Sequence, residues 1–332
     1  MTDRPPPAAP RVPTPDFAIA THGLTKRFGD FTALDALELR VPRHAVFGFL
    51  GPNGAGKTTA MRMLVGLSRP SAGRAEVLGR DATRDSLEVR RRVGFLAQDP
   101  RFYEHQTARE TLRFTARFFY AGPARAIEER IDEMLDLVGL TDKADRPIRG
   151  FSGGERQRLG IAQAQVNAPE LLIMDEPAAA LDPVGRHAVL SILDRLRSHT
   201  TVLFSTHILD DVQRVADHVA ILNRGRLIAQ APTHELLAGD GAATYLIGLE
   251  RSPDGSLETL RALPWVADVG EHPTADGGVT LQVTVHDEAI ARTELLRRVM
   301  GMPDTVVTHF RRRSFELEEV FMERVQDAEA AR

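Results

Sequence analysis

The chain contains no cysteine, so it can form neither a disulfide nor a thiolate metal site. That agrees with a reducing compartment but does not prove one. Nowhere is there an apolar run of the roughly 18 to 20 residues that a membrane-spanning helix requires, and the chain is therefore expected to be soluble and unable to form a pore by itself. An excess of one charge is lacking too. Its 42 Lys and Arg stand against 46 Asp and Glu, a formal net charge of -4, with the two signs interspersed and the bases nearly all arginine. No net field is present to attract nucleic acid, which is not an expected partner.

What is present suits a globular protein. A length of 332 residues with 42% apolar content allows two compact domains with a sizeable core. Residues 1–16, MTDRPPPAAPRVPTPD, lack the apolar segment of a leader, and their prolines favour an extended, disordered tail with no readable address. From Phe17 the pattern turns strand-like in FAIA, ALELRV and VFGFL. A helical pattern follows to about Gly66. After the strand GFLAQ, two amphipathic helices are expected over Thr107–Phe119 and Ala124–Leu137. The short apolar runs in ELLIMDEP and TVLFSTH, separated by a helix from Val184 to Arg197, read as strands buried on both faces, as in a parallel α/β sheet.

The Gly-rich break LAGDGAA marks a domain boundary, giving one domain over 17–240 and another over 241–332. The second alternates strand, helix, two strands, helix and strand (TYLIGLE, SLETLRAL, WVADVG, GGVTLQVTV, AIARTELLRRVMG, TVVTHF), the rhythm of a small α+β domain of the ferredoxin-like split β-α-β kind.

Three motifs carry chemistry. The run Gly51-Pro52-Asn53-Gly54-Ala55-Gly56-Lys57-Thr58-Thr59 matches G-x-x-x-x-G-K-[ST] between an expected strand and an expected helix. Its glycines let the backbone curl round phosphates and turn N–H groups inward at a helix N-terminus, where the dipole favours anions. Lys57 would bridge the β- and γ-phosphates, and the Thr58 hydroxyl would bind Mg²⁺. The strand LLIM then delivers Asp175 and Glu176 at its carboxyl end, where ligands of parallel sheets collect. Asp175 would hold Mg²⁺ through its water shell. Glu176 would accept a proton from the attacking water, or orient it. Just upstream lies Phe151-Ser152-Gly153-Gly154-Glu155, opening the expected helix RQRLGIAQAQV and so offering a second anion-binding N-terminus.

This third motif resembles the ATP-binding cassette (ABC) signature, usually Leu-Ser-Gly-Gly-Gln, and the cassette likeness extends from about Phe17 to Leu237. The resemblance implies a P-loop ATPase fold of the ABC type, with a mixed sheet core, an antiparallel β subdomain and a helical subdomain. It implies ATP and Mg²⁺ as ligands, and a head-to-tail homodimer in which Ser152, Gly153, Gly154 and Glu155 of one protomer close on the nucleotide of the other. Further matches fall in family order. Gln98 resembles the Q-loop glutamine, which senses Mg²⁺ and the membrane subunit, Asp182 the D-loop aspartate, and His207 the switch histidine on the γ-phosphate. Phe28 stands where an aromatic, usually tyrosine, stacks on adenine. Taken singly these would be a surface amide, a helix cap, a strand-end polar residue and a core aromatic. The chain departs from the family pattern at Phe151 and Glu155, and at Ala179 and Ala180, which stand where Ser-Gly is common.

A phrase near the end, Arg313-Ser314-Phe315-Glu316-Leu317-Glu318-Glu319-Val320-Phe321, resembles the ending of daunorubicin-resistance-type exporter ATPases. Such proteins pair with a separately encoded membrane permease and work peripherally at the cytoplasmic face of the cell membrane, exporting drugs, lipids or polymers. Phe102 and Tyr103, after Gln98, are candidates for the groove that receives the membrane subunit. Two readings compete with transport: a cassette acting on ribosomes or DNA, and one that binds ATP to gate a partner without turnover. One cassette rather than two, too little sequence between Lys57 and Ser152 for long heptad repeats, and the presence of Glu176 and His207 favour the transport ATPase.

Overall fold

A computed structural model describes residues 17–238, then 243–312 apart from 252, 254, 275 and 276, and finally 317, 318, 321 and 322. The Pro-rich tail 1–16, the core of the Gly-rich break and most of the Arg313–Phe321 phrase lie outside the described residues. Two compact units divide between Thr233 and His234.

The first unit begins with an antiparallel sheet. Its strands are β1 (Phe17–Phe28), β2 (Phe31–Leu37), β3 (Arg40–Pro42), β5 (Ala72–Val77) and β6 (Arg80–Asp81). They run in the order β2-β1-β5-β6, with β3 also paired to β1. ALELRV, read from sequence as one strand, is two. The chain breaks after Leu37, and the Thr21 hydroxyl spans the break, donating to Leu37 O at 2.7 Å and accepting from Leu39 N at 2.7 Å. FAIA likewise extends well past four residues, because β1 finds ladder partners on both sides along its length.

The second sheet builds the site. Its strands are β4 (Val46–Leu50), β7 (Val93–Leu96), β8 (Leu171–Met174), β9 (Thr201–Thr206), β10 (His218–Asn223) and β11 (Arg226–Pro232), in the order β11-β10-β4-β9-β8-β7. Neighbours are parallel except β10 and β11. Every residue of β4, β8 and β9 is buried, which explains why their apolar residues run together instead of alternating with polar ones: strands covered on both faces have no solvent side to make polar. Phe47, Phe49, Ile173 and Leu203 pack into one core with Met61 and Leu64 of α1 (Lys57–Leu64).

The remaining helices of this unit are α2 (Ser86–Arg92), α3 (Ala108–Ala116), α4 (Ala124–Leu137), α5 (Gly153–Gln165), α6 (Pro183–Leu196) and α7 (Leu209–Val215). The expected 107–119 helix is the shorter α3, with Thr107 and Glu110 forming a reciprocal capping box at its start. The expected Ala124–Leu137 helix is α4 as read. The division between units falls one residue into α8 (Thr233–Ala238).

The second unit contains β12 (Ala243–Leu249), α9 (Ser256–Arg261), β13 (Val266–Pro273), β14 (Val279–Val285), α10 (Glu288–Met300) and β15 (Val307–Arg312). Its sheet order β13-β14-β12-β15, all antiparallel, is that of the split β-α-β pattern expected for this segment. Its own core includes Trp265, Ile247, Leu281 and Leu295. Among the described residues no helix is long and apolar enough to cross a membrane.

Ala180, ahead of α6, has φ 57°, a left-handed conformation that costs a residue with a Cβ about 1 kcal/mol or more and glycine little. This accounts physically for the glycine common at this place in the resembling family. Ala180→Gly is expected to raise unfolding stability by about 1 kcal/mol in chemical denaturation, whereas a loss of stability of that size would contradict the backbone assignment.

Candidate active site

Four strands end at the same edge and each hands over one part of the site. After β4 comes the phosphate-type loop, after β8 Asp175 and Glu176, after β9 His207, and shortly after β7 Gln98. Parallel pairing places these carboxyl ends side by side, although they are far apart in sequence.

The loop after β4 must be glycine at two points for different reasons. A Cβ at Gly51 would lie 2.3 Å from the Leu222 carbonyl oxygen. Gly56, at φ 106°, caps α1, and a Cβ there would meet the Ala33 carbonyl at 2.6 Å. The loop borders a cavity of about 410 Å³, lined by Pro52 through Thr59, by Phe28, Phe31 and Ala33 of the neighbouring hairpin, and by Gln98 and Glu176. That size suits a small-molecule ligand. Phe28 is 56% exposed, with the Lys26 ammonium 5.0 Å from its ring centroid. It is therefore not a core aromatic, and its face is open to a planar or cationic partner.

At the cavity floor lies Lys57, 5% exposed. Its Nζ donates to Gly51 O at 2.5 Å and to Pro52 O at 3.3 Å, and lies 3.0 Å from Glu176 Oε1. Glu176 is equally buried, and its other oxygen is 2.8 Å from His207 Nδ1. Three expected residues thus form one connected chain, Lys57–Glu176–His207. Buried charges of this kind persist only when paired and hydrogen-bonded. Glu176 also has φ 51°, and such strain persists where the surroundings over-determine a residue, characteristically at functional sites.

Ser205, which the sequence reading did not single out, orients both acids. Its Oγ donates to Asp175 Oδ1 at 2.7 Å and accepts from Glu176 N at 2.8 Å. A hydroxyl residue in the buried strand TVLFST two places before His207 was the available signal. Phe31 was also missed. It pairs with Phe28 across the β1–β2 hairpin and is 64% exposed on the same cavity.

The signature and Asp182 stand apart from this cavity. Ser152 and Glu155 form a capping box on α5, Ser152 Oγ accepting from Glu155 N at 3.2 Å and Glu155 Oε2 accepting from Ser152 N at 2.9 Å. Asp182 caps α6, accepting from Gly185 N at 2.9 Å. Gly153, Ala179, Ala180 and Leu181 line a separate groove that shares Gln98 with the first. The Glu155 carboxylate is committed within its own chain, since its other oxygen pairs with the Lys143 ammonium.

The bond from Lys143, reinforced by the Ser152 N–H, holds the Glu155 carboxyl below its ordinary range against a smaller opposing effect of burial. Because the folded state lowers this carboxyl's affinity for protons, the stabilisation is present above the unfolded value of about 4.3 and is lost as pH falls through the range below it. Glu155→Gln, which keeps an acceptor for the cap but loses the ion pair, is expected to melt at a lower temperature than the parent at pH 7 and to converge on it at acid pH. Melting curves across that range check this, and an unchanged gap down to acid pH would exclude it.

Comparison with known proteins adds to this geometry. A sequence profile described as "ABC transporter" matches residues 34–179. The daunorubicin/doxorubicin resistance ATP-binding protein of Streptomyces peucetius is 38% identical over 316 residues, covering 93% of this chain and 92% of that protein. A daunorubicin resistance ATP-binding protein of Streptomyces coeruleorubidus is 43% identical over 227 residues, covering 68% and 72%. Among solved structures, cbiO1 from Clostridium perfringens, part of an ABC transporter complex, superposes with a TM-score of 0.62 at 28% identity, covering 68% of this chain and 92% of that one. With the phosphate-type loop, the acid-tipped strand and the strand-end histidine converging on one cavity, these likenesses show that the chain belongs to the ABC transporter family, as an ATP-binding subunit that hydrolyses ATP.

Proposed function

We propose that this subunit powers export of drugs, lipids or other amphipathic molecules as a head-to-tail homodimer at the cytoplasmic face of the cell membrane, joined to a membrane permease on another chain. In this reading residues 17–240 form the nucleotide-binding domain and 241–332 the small α+β domain. The observation that carries it is the buried Lys57–Glu176–His207 chain at a cavity that the signature residues do not line. The catalytic groups sit on one surface and the second anion-binding helix N-terminus on another, so a facing protomer is the natural source of Ser152, Gly153 and Gly154. The names of the resistance proteins and the Arg313–Phe321 phrase support export.

The residues divide the work as follows. Backbone N–H groups of Gly54 through Thr59 and the Lys57 ammonium hold the phosphates of ATP, while the exposed ring of Phe28 offers a face for adenine. Lys57 exchanges its bonds to Gly51 O and Glu176 for phosphate oxygens. Glu176 then takes a proton from the attacking water. His207 fixes the orientation of that carboxylate and contacts the γ-phosphate. The oxygens of Thr58, Gln98 and Asp175 fit Mg²⁺, a hard cation that takes oxygen ligands, and Ser205 already orients the Asp175 carboxylate. When bound, the ion neutralises charge on the transferred phosphoryl group. Asp182, from the loop ahead of α6, would bear on the facing protomer's site.

Glu176→Gln removes the base but spares the phosphate cradle. Steady-state hydrolysis should fall about 10²- to 10⁴-fold while ATP still binds, accumulating as an ATP-bound dimer in size-exclusion chromatography. Turnover at the parent rate would refute the role of Glu176. Lys57→Ala should instead abolish ATP binding or turnover, and full activity would count against the site as a whole.

A further inference from the structure

Asp211, on α7, is 1% exposed and takes no part in the chemistry described above. Its Oδ1 accepts from Arg186 Nε at 2.5 Å, and its Oδ2 accepts from the Thr206 hydroxyl at 3.3 Å. Burial pushes its carboxyl above the ordinary range despite the adjacent guanidinium. An ion pair of this kind, with the carboxylate buried and the guanidinium partly exposed, adds little net stability, because desolvation of the buried member consumes much of the attraction. What such a pair does supply is a fixed relative orientation of the elements it joins.

Here it joins two parts of the site. Arg186 lies in the first turn of α6, and its N–H donates to Asp182 O at 2.9 Å. Thr206 is the last residue of β9 and immediately precedes His207. Its hydroxyl accepts from Ile208 N at 3.0 Å, and its carbonyl accepts from Gly51 N at 3.2 Å. The residues on both sides of His207 are thus held by one network, whose far end is the loop carrying Asp182.

We propose that Arg186 and Asp211 are positioning residues that tie the placement of His207 to the register of α6 and the Asp182 loop. Movement of that loop is transmitted to Thr206 through the ion pair, and from Thr206 to the His207–Glu176 contact. Neither residue lines the cavity beside the Gly51–Thr59 loop, so the pair acts on the rate of the chemical step and leaves ATP binding alone. The proposal rests on the role of His207 stated above.

The test uses the full chain, with ATPase rates normalised to ATP bound per chain, so that a loss of folded protein does not count as a loss of rate. Arg186 is partly exposed, which makes Arg186→Gln the variant of choice. It is expected to lower kcat at least tenfold with KM for ATP within threefold of the parent. Arg186→Lys should recover most of the rate. The double variant Arg186→Gln/Asp211→Asn should be no slower than Asp211→Asn alone, since the two act as a unit. A kcat within twofold of the parent for Arg186→Gln, a KM rising in proportion to the rate loss, or strictly additive effects would overturn the proposal. His207→Ala, assayed in parallel, separates the two levels. If it turns over at the parent rate, the reading of the active site fails and this proposal with it. If it is slow while Arg186→Gln is normal, only the positioning pair is refuted.

Discussion

A lysine and a glutamate, each about 5% exposed and 3.0 Å apart, lie at the carboxyl edge of the parallel sheet. Neither charge is tolerable there alone, since desolvating an unpaired ammonium or carboxylate costs several kcal/mol. The surroundings compensate both at once. Lysine finds the Gly51 and Pro52 carbonyls, and glutamate finds His207 and, through its backbone N–H, Ser205. This concentration of compensated charge depends on β4, β8 and β9 lying in register, with their apolar runs buried on both faces. The same arrangement holds the Lys57 ammonium at the wall of the cavity, with protein oxygens as its partners.

Around that pair, strain and close approach recur. Glu176 and Ala180 both have left-handed φ, and the Gly51 and Gly56 backbones approach the Leu222 and Ala33 carbonyls too closely for a side chain. Such features are retained where the surroundings over-determine them, and here they flank the buried Glu176 carboxylate and the helix that Asp182 caps. The Arg186–Asp211 pair belongs to the same region and links its outer loop to its inner histidine.

Much of this was legible in the sequence, for identifiable reasons. The loop from Gly51 to Thr59 has few alternatives, because its residue types answer to a steric demand and an electrostatic one together. The apolar runs before Asp175 and His207 signalled doubly covered strands, and α4 showed its helical spacing over its full length. The break between β2 and β3 was not visible, because it depends on the Thr21 hydroxyl, which lies far from it in sequence. Ser205, Phe31, Arg186 and Asp211 were passed over for a similar reason. Each is an ordinary residue type whose importance comes from its spatial neighbours.

The sequence by itself determined where the glycine-rich loop, its lysine and the strand-end acids lie, because backbone freedom, charge and strand termini are properties of short segments. Only the tertiary structure decided that Lys57, Glu176 and His207 touch, that Glu155 turns to Lys143, and that the signature lies away from its own phosphate loop. Those outcomes depend on the pairing of β4, β8 and β9 and on the seating of α5 and α6. They follow from burying apolar faces across more than a hundred residues of chain, where local propensity carries no information.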